Sequence, residues 1–170
     1  MKTFKQHILE KLKVSKNPYT LFPKTTEELK HMIEDEISKN GNRCSLNHID
    51  VSRITDMSSL FFNPSFNGDI SDWDVSNVKS MERMFEKSKF NGDISDWDVS
   101  NVKYMGNMFE YSKFNGDISK WDVSSVIEMR FMFAHSKFTG DISCWDVSTV
   151  KDTYCIFDHS PLQITPPKWY

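Results

Sequence analysis

The sequence predicts an α/β repeat: a right-handed solenoid of short parallel strands and short helical turns, with an α-helical cap at its N-terminal end. Three observations predict it. The unit FNGDISDWDVSNVKSMERMFEKSK, Phe66 to Lys89, returns from Phe90, from Phe114 and, in worn form, from Phe138, a period of 24 residues without insertions. A fixed short period marks units that cannot bury their own apolar side and stack on their neighbours instead. Within the unit Phe66, Ile70, Trp73, Val75, Val78, Met81, Met84 and Phe85 recur as apolar types while the residues between them vary. Like residues should therefore stand on one another, about 4.8 Å apart where strands pair. Finally, a stretch with helical period stands just before the first unit.

Taken in order, residues 2 to 14 carry Phe4, Ile8, Leu9 and Leu12 at helical spacing and read as a short helix, ended by Asn17-Pro18. Thr25 and Glu28 have capping-box spacing, and Leu29, Met32, Ile33 and Ile37 form an apolar stripe, so residues 26–39 read as an amphipathic helix. Asn40-Gly41 stops it, because Gly accepts positive φ without steric cost. A first coil without cover would expose its core to water, and this helix is placed to supply the cover. Residues 1–43 thus read as a helical N-terminal cap, 44–162 as nearly five coils, and 163–170 as a C-terminal tail. The first coil is degenerate, with Ile49-Asp50-Val51-Ser52 standing in for WDVS. At the far end Pro161, Pro166 and Pro167 stop regular pairing, and Trp169-Tyr170 are placed to fold back over the last coil.

Inside one coil, Asp69–Val75 has the alternating character of a strand and Val78–Lys87 the period of a helical or 3₁₀ turn. Asn67-Gly68 reads as a turn whose Gly takes positive φ. Asp74 and Ser76-Asn77 are placed to bond backbone N–H groups at the bend. The ladders Trp73, Trp97, Trp121, Trp145 and Phe66, Phe90, Phe114, Phe138 should supply most of the stability, since each ring buries roughly 150–250 Å². A coil of strand, bend, helical turn and bend is leucine-rich-repeat-like.

Net charge is −3 and the isoelectric point about 5.9. Lys and Glu are scattered without a basic stripe, which argues against a nucleic-acid binder. No apolar run suits a secretory signal or a membrane span, so the chain as written reads as cytoplasmic and not inserted in a membrane. Removal of an export signal would instead allow a surface or secreted protein. Cys44, Cys144 and Cys155 match no zinc spacing and read as free thiols.

At WDVSNVxxM, in units of the form FNxDISxWDVSNVxxMxxMF, residues 44–162 resemble the BspA-like leucine-rich-repeat surface proteins of bacteria. The lead-in KTTEELKHMIEDEISKNG followed by NHIDVSRITDMSSLF is similar to theirs as well. The resemblance implies a repeat protein that binds proteins or host surfaces. It carries over no catalytic residues.

Candidate chemistry is sparse. The columns Asp69, Asp93, Asp117, Asp141 and Asp74, Asp98, Asp122, Asp146 suit turn capping, with a calcium-binding role as the alternative. His135 and His159 are one period apart, yet two imidazoles need a third convergent ligand to hold zinc. A Cys155–His159 nucleophile pair has no orienting group.

More telling are the columns where repeats disagree. They are 72/96/120/144, 80/104/128/152, 83/107/131/155 and 87/111/135/159, and they should point outward, because a core position could not accept such changes. The reading is a non-enzymatic module, without metal or cofactor, that binds a protein partner as a monomer. Tyr104, Tyr111, Phe131 and His135 would supply affinity, and Asp72, Asp96 and Lys120 orientation. The alternatives are an adhesin-like protein binding host or matrix proteins and a metal-stabilised structural module.

Overall fold

The computed structural model describes residues 18–62 and 65–170; the helix read over residues 2 to 14 lies outside them. Helix α1, Thr26–Asn40, forms where the capping box and apolar stripe place it. Thr25 Oγ1 accepts the Glu28 N–H at 3.2 Å, and Glu28 Oε2 accepts the Lys24 N–H at 2.7 Å. Gly41 ends the helix at φ 81°, donating its N–H to the Ile37 carbonyl. Leu29 and Ile33 are buried in the core, and Thr26 Oγ1 donates to the Asp56 carbonyl at 2.7 Å. Beside the helix, Leu21 pairs in parallel with Ile49, so the start of the stack is covered on two sides.

The repeat does not fold as a solenoid of parallel strands. Among the described residues there is one α-helix, a three-residue 3₁₀ turn at Pro161–Gln163 and no β-strand. Parallel pairing survives only as isolated bridges, chiefly the column Asp56, Ser80, Tyr104, Glu128 and Asp152. Turns closing on both sides explain why. Val78 N–H bonds the Val75 carbonyl just before Ser80, and Met84 N–H bonds the Met81 carbonyl just after it, so no strand can extend through the bridge column. In the stretch read as a strand, Trp73 N–H turns back to the Ile70 carbonyl and Ser71 N–H to Asp69 Oδ1. Side-chain acceptors there take the donors a strand would have aimed at the next coil.

Val78–Lys87 is likewise no helical turn. Its second half is a run of turns in which alternate N–H groups point two ways. Met84, Glu86 and Ser88 donate three residues back, while Met81, Arg83, Phe85 and Lys87 donate to Tyr104, Gly106, Met108 and Glu110 of the next unit at 2.8–2.9 Å. The geometry places Arg83 and Lys87 in the left-handed region, at φ 58° and 56°, and the same holds at Asn107, Tyr111, Phe131, His135, Cys155 and His159. A left-handed residue without Gly costs roughly 1–2 kcal/mol and ends any helix or strand. At Arg83, Lys87, Asn107, Tyr111, Phe131 and His135 the N–H bond to the next unit offsets it.

Gly68, Gly92, Gly116 and Gly140 do not take positive φ; Gly41 alone among the described glycines does. They are Gly because nothing larger fits. A Cβ at Gly68 would stand 2.0 Å from the Cys44 carbonyl oxygen and 2.6 Å from the Phe66 ring.

The core runs unbroken through the stack. Phe66, Phe90, Phe114 and Phe138 stack at 6.2–6.3 Å between centroids, wider than the strand spacing expected of them. A second column, Phe61, Phe85, Phe109, Phe133 and Phe157, interleaves with the first, as in Phe109 to Phe114 at 4.5 Å. Each ladder Trp donates its indole N–H to a carbonyl one unit earlier, Trp73 to Leu46, Trp97 to Ile70, Trp121 to Ile94 and Trp145 to Ile118. Trp169 continues the series rather than merely folding back, donating to Ile142 at 2.8 Å. The spacing Trp145 to Trp169 repeats the period. Among the described residues no buried side-chain nitrogen or oxygen lacks a partner.

Candidate functional site

Three corners of the coil present side chains to solvent, and they differ in how those side chains are engaged. At the first, the Asp columns cap turns. Asp69, Asp93, Asp117 and Asp141 accept the N–H of Ser71, Ser95, Ser119 and Ser143 at 2.9–3.0 Å. Asp74, Asp98, Asp122 and Asp146 do the same for Ser76, Ser100, Ser124 and Ser148 at 3.0–3.1 Å. These bonds hold Asp69, Asp93, Asp117 and Asp141 below the ordinary carboxylate range, the backbone donor contributing most. Asp122 and Asp146 are lowered too, there chiefly by the serine hydroxyl. Asn77 takes a different part from the one expected, donating Nδ2 to the Ser52 carbonyl rather than accepting an N–H. Asp72, Asp96 and Lys120 are exposed on this corner. Asp72 and Asp96 line a shallow acidic cleft with Asp93, Ser71 and Ser95.

The second corner is the bridge column. Tyr104 stands between Ser80 and Glu128 and is 42% exposed. Burial pushes Glu128 above the usual carboxylate range, against the lowering effect of the Arg130 N–H. Gly106 makes room for that carboxylate, since a Cβ there would lie 2.6 Å from Glu128 Oε2.

The third corner is formed by the left-handed residues, and here the exposed rings join. Lys87 Nζ lies 5.6 Å from the Phe62 ring centroid and 5.9 Å from that of Tyr111. Tyr111 stacks on His135 at 4.3 Å with the rings 2° from parallel, and His135 meets His159 at 4.6 Å. Phe62, Lys87, Tyr111, His135 and His159 thus make one continuous file across successive units. Arg83 also sits over Phe62, at 5.2 Å, while its Nε meets the buried Glu86 at 2.6 Å. Phe131, half-buried, meets Tyr154 edge-on at 5.3 Å.

Of the residues expected to bind, the structure brings Tyr111 and His135 into contact, sets Phe131 and Tyr104 on adjoining columns, and leaves Asp72, Asp96 and Lys120 at the Asp-turn corner. Sequence reading missed Phe62, which stands one place off the period, and Asp158, whose column reads Glu86, Glu110, Ala134, Asp158. Asp158 is the third group near the two imidazoles: the ligand atoms of His135, Asp158 and His159 lie within 4.8 Å of one another. The Tyr154 phenol is raised, chiefly by its neighbour Cys155. His159 Nδ1 lies 2.9 Å from Asp158 Oδ1. The three cysteines are free.

Comparison with known proteins gives one anchor. The family described as "Mycoplasma protein of unknown function, DUF285" matches residues 27–113 and 107–163. No curated protein and no solved structure matches the chain.

Proposed function

The chain belongs to this family of proteins of unknown function, and from that premise we propose that it is a non-enzymatic module that binds another protein through its outward columns. The supporting observation is the file of exposed rings and cations from Phe62 to His159. At Lys87, Tyr111 and His135 its backbone is fixed by bonds to the next unit, so these side chains are held in place before any partner arrives. Preorganised aromatic side chains bind at low entropic cost. Tyr111 and His135 form the centre of the proposed surface, Tyr104 and Phe131 flank it, and Asp72, Asp96 and Lys120 orient a partner from the neighbouring corner. The BspA-like kinship suggested by WDVSNVxxM supports a protein as the ligand. No helix among the described residues is long and apolar enough to cross a membrane.

The test is affinity capture from the native cell lysate with the wild-type chain and a Tyr104→Ala/Tyr111→Ala variant. A protein held by the wild type and released by the variant supports the assignment. Equal recovery of that protein on both chains would sink it.

A further inference from the structure

We propose that His135, Asp158 and His159 form a binding site for a single divalent metal ion of the zinc class, joining the last two units of the stack. It shares His135 and His159 with the protein-binding file above, but it is argued from their convergence with Asp158 and does not rest on that reading. Their three ligand atoms lie within 4.8 Å of one another. A four-coordinate zinc with bonds near 2.0–2.1 Å needs ligand atoms roughly 3.3 Å apart. Rotation of the two imidazoles, one half-buried and one exposed, is what would bring the ligand atoms to that spacing.

The frame beneath the ligands is already fixed. His135 N–H donates to the Asp158 carbonyl at 2.7 Å, and His159 N–H donates to Gln163 Oε1 at 2.9 Å. Both histidines hold left-handed backbones, at φ 54° and 52°, which aims their side chains to the same side. The Tyr111 ring lies flat against His135 at 4.3 Å. A stacked imidazole has its faces covered and its edge nitrogens open, and those nitrogens are the atoms a metal uses.

His159 Nδ1 and Asp158 Oδ1 face each other at 2.9 Å. In the metal-free protein the Nδ1–H tautomer of His159 donates to that carboxylate, and a bound metal would take the place of this proton. Two imidazoles and one carboxylate suit zinc, cobalt, nickel or copper rather than calcium or magnesium, which prefer oxygen alone. Three protein ligands leave a fourth position for water, as in an open site. Because the ligands come from the last two units, the expected role is a clamp on the C-terminal end of the stack.

The test is titration of the metal-free full chain with zinc sulfate, followed by calorimetry and thermal unfolding, with cobalt(II) absorption to count nitrogen ligands. The expected result is one equivalent bound with a dissociation constant in the micromolar range and a rise of several degrees in the unfolding midpoint at saturating zinc. His159→Asn and His135→Asn should each weaken binding at least 10-fold. Asn tolerates the left-handed backbone, so both variants keep the fold, and the unfolding midpoint without metal checks this. Asp158→Asn serves as the third arm and should also weaken binding. Affinity weaker than about 1 mM, or affinity unchanged in the two His variants, would overturn the site.

Discussion

At the corner carrying Asp69, Asp93, Asp117 and Asp141, each side chain reaches back to a backbone N–H two residues on. At the corner carrying Arg83, Asn107 and Phe131, with Lys87, Tyr111 and His135 beside it, each residue's backbone N–H bonds a carbonyl of the next unit. The two corners belong to the same coil, yet one repeats its residue type and the other does not. Where the side chain completes the turn, the residue type is dictated. Where the main chain completes it, any side chain that tolerates positive φ can be mounted, and the molecule is free to place rings and cations there.

The largest expected effect separates backbone tolerance from side-chain identity at the second corner. Phe131→Val should destabilise by about 2 kcal/mol, because a β-branched residue at φ 54° is a true outlier. Phe131→Asn should cost less than half as much, since Asn visits this region readily. Chemical denaturation of both variants reads the difference, and equal losses would mean that the Phe131–Tyr154 contact, and not the backbone, governs the position.

Next comes the first corner. Asp69 accepts from Ser71 N–H, Ser71 Oγ and Asn47 Nδ2. Asp69→Ala should cost roughly 0.5–2 kcal/mol, as for loss of a helix cap. A midpoint shift in urea near zero would show that the turn closes without its carboxylate.

How far the sequence was legible follows the same division. Helix α1, the core columns and the turn-capping Asp residues each carry a residue-type signal: a capping box, apolar recurrence, and Asp placed two before Ser. The left-handed corner carries none, because Arg, Lys, Phe, Tyr and His there announce nothing about φ. Glycine misled in the opposite direction, standing at Gly68 for lack of space beside Phe66 rather than for a turn. Ile70, Trp73, Val75 and Val78 are spaced by three, two and three residues. Read as alternation, that pattern gave strands, whereas the chain turns between them. Outward placement of Tyr104 and Tyr111 was legible because variable columns cannot be core. The file joining Phe62 to Lys87 depends on a residue off the period, and column arithmetic could not show it.

A smaller effect concerns pH. Asp69, Asp93, Asp117, Asp122, Asp141 and Asp146 are lowered in the fold from an ordinary value of 3.8. Their stabilisation is therefore full above about pH 4 and is lost as pH falls below it. Glu128, raised from 4.5, acts oppositely: its contribution is present below that value and lost as pH rises through its folded one. The unfolding midpoint should fall steadily on acidification below pH 4, with Glu128→Gln flattening a slight loss just above pH 4.5. A midpoint independent of pH between 5 and 3 would contradict the capping role of the Asp columns.

The most direct measurement takes one variant, Tyr111→Asn, and determines its thermal unfolding midpoint and its capture of the partner side by side. If the second corner is backbone-closed and its side chains serve binding, the midpoint should stay within about 4 °C of the wild type, a change of roughly 1 kcal/mol for a chain of this size, and capture should be lost. A midpoint lowered by more than about 8 °C with the partner still retained would contradict the account, placing Tyr111 among the residues that hold the coil together.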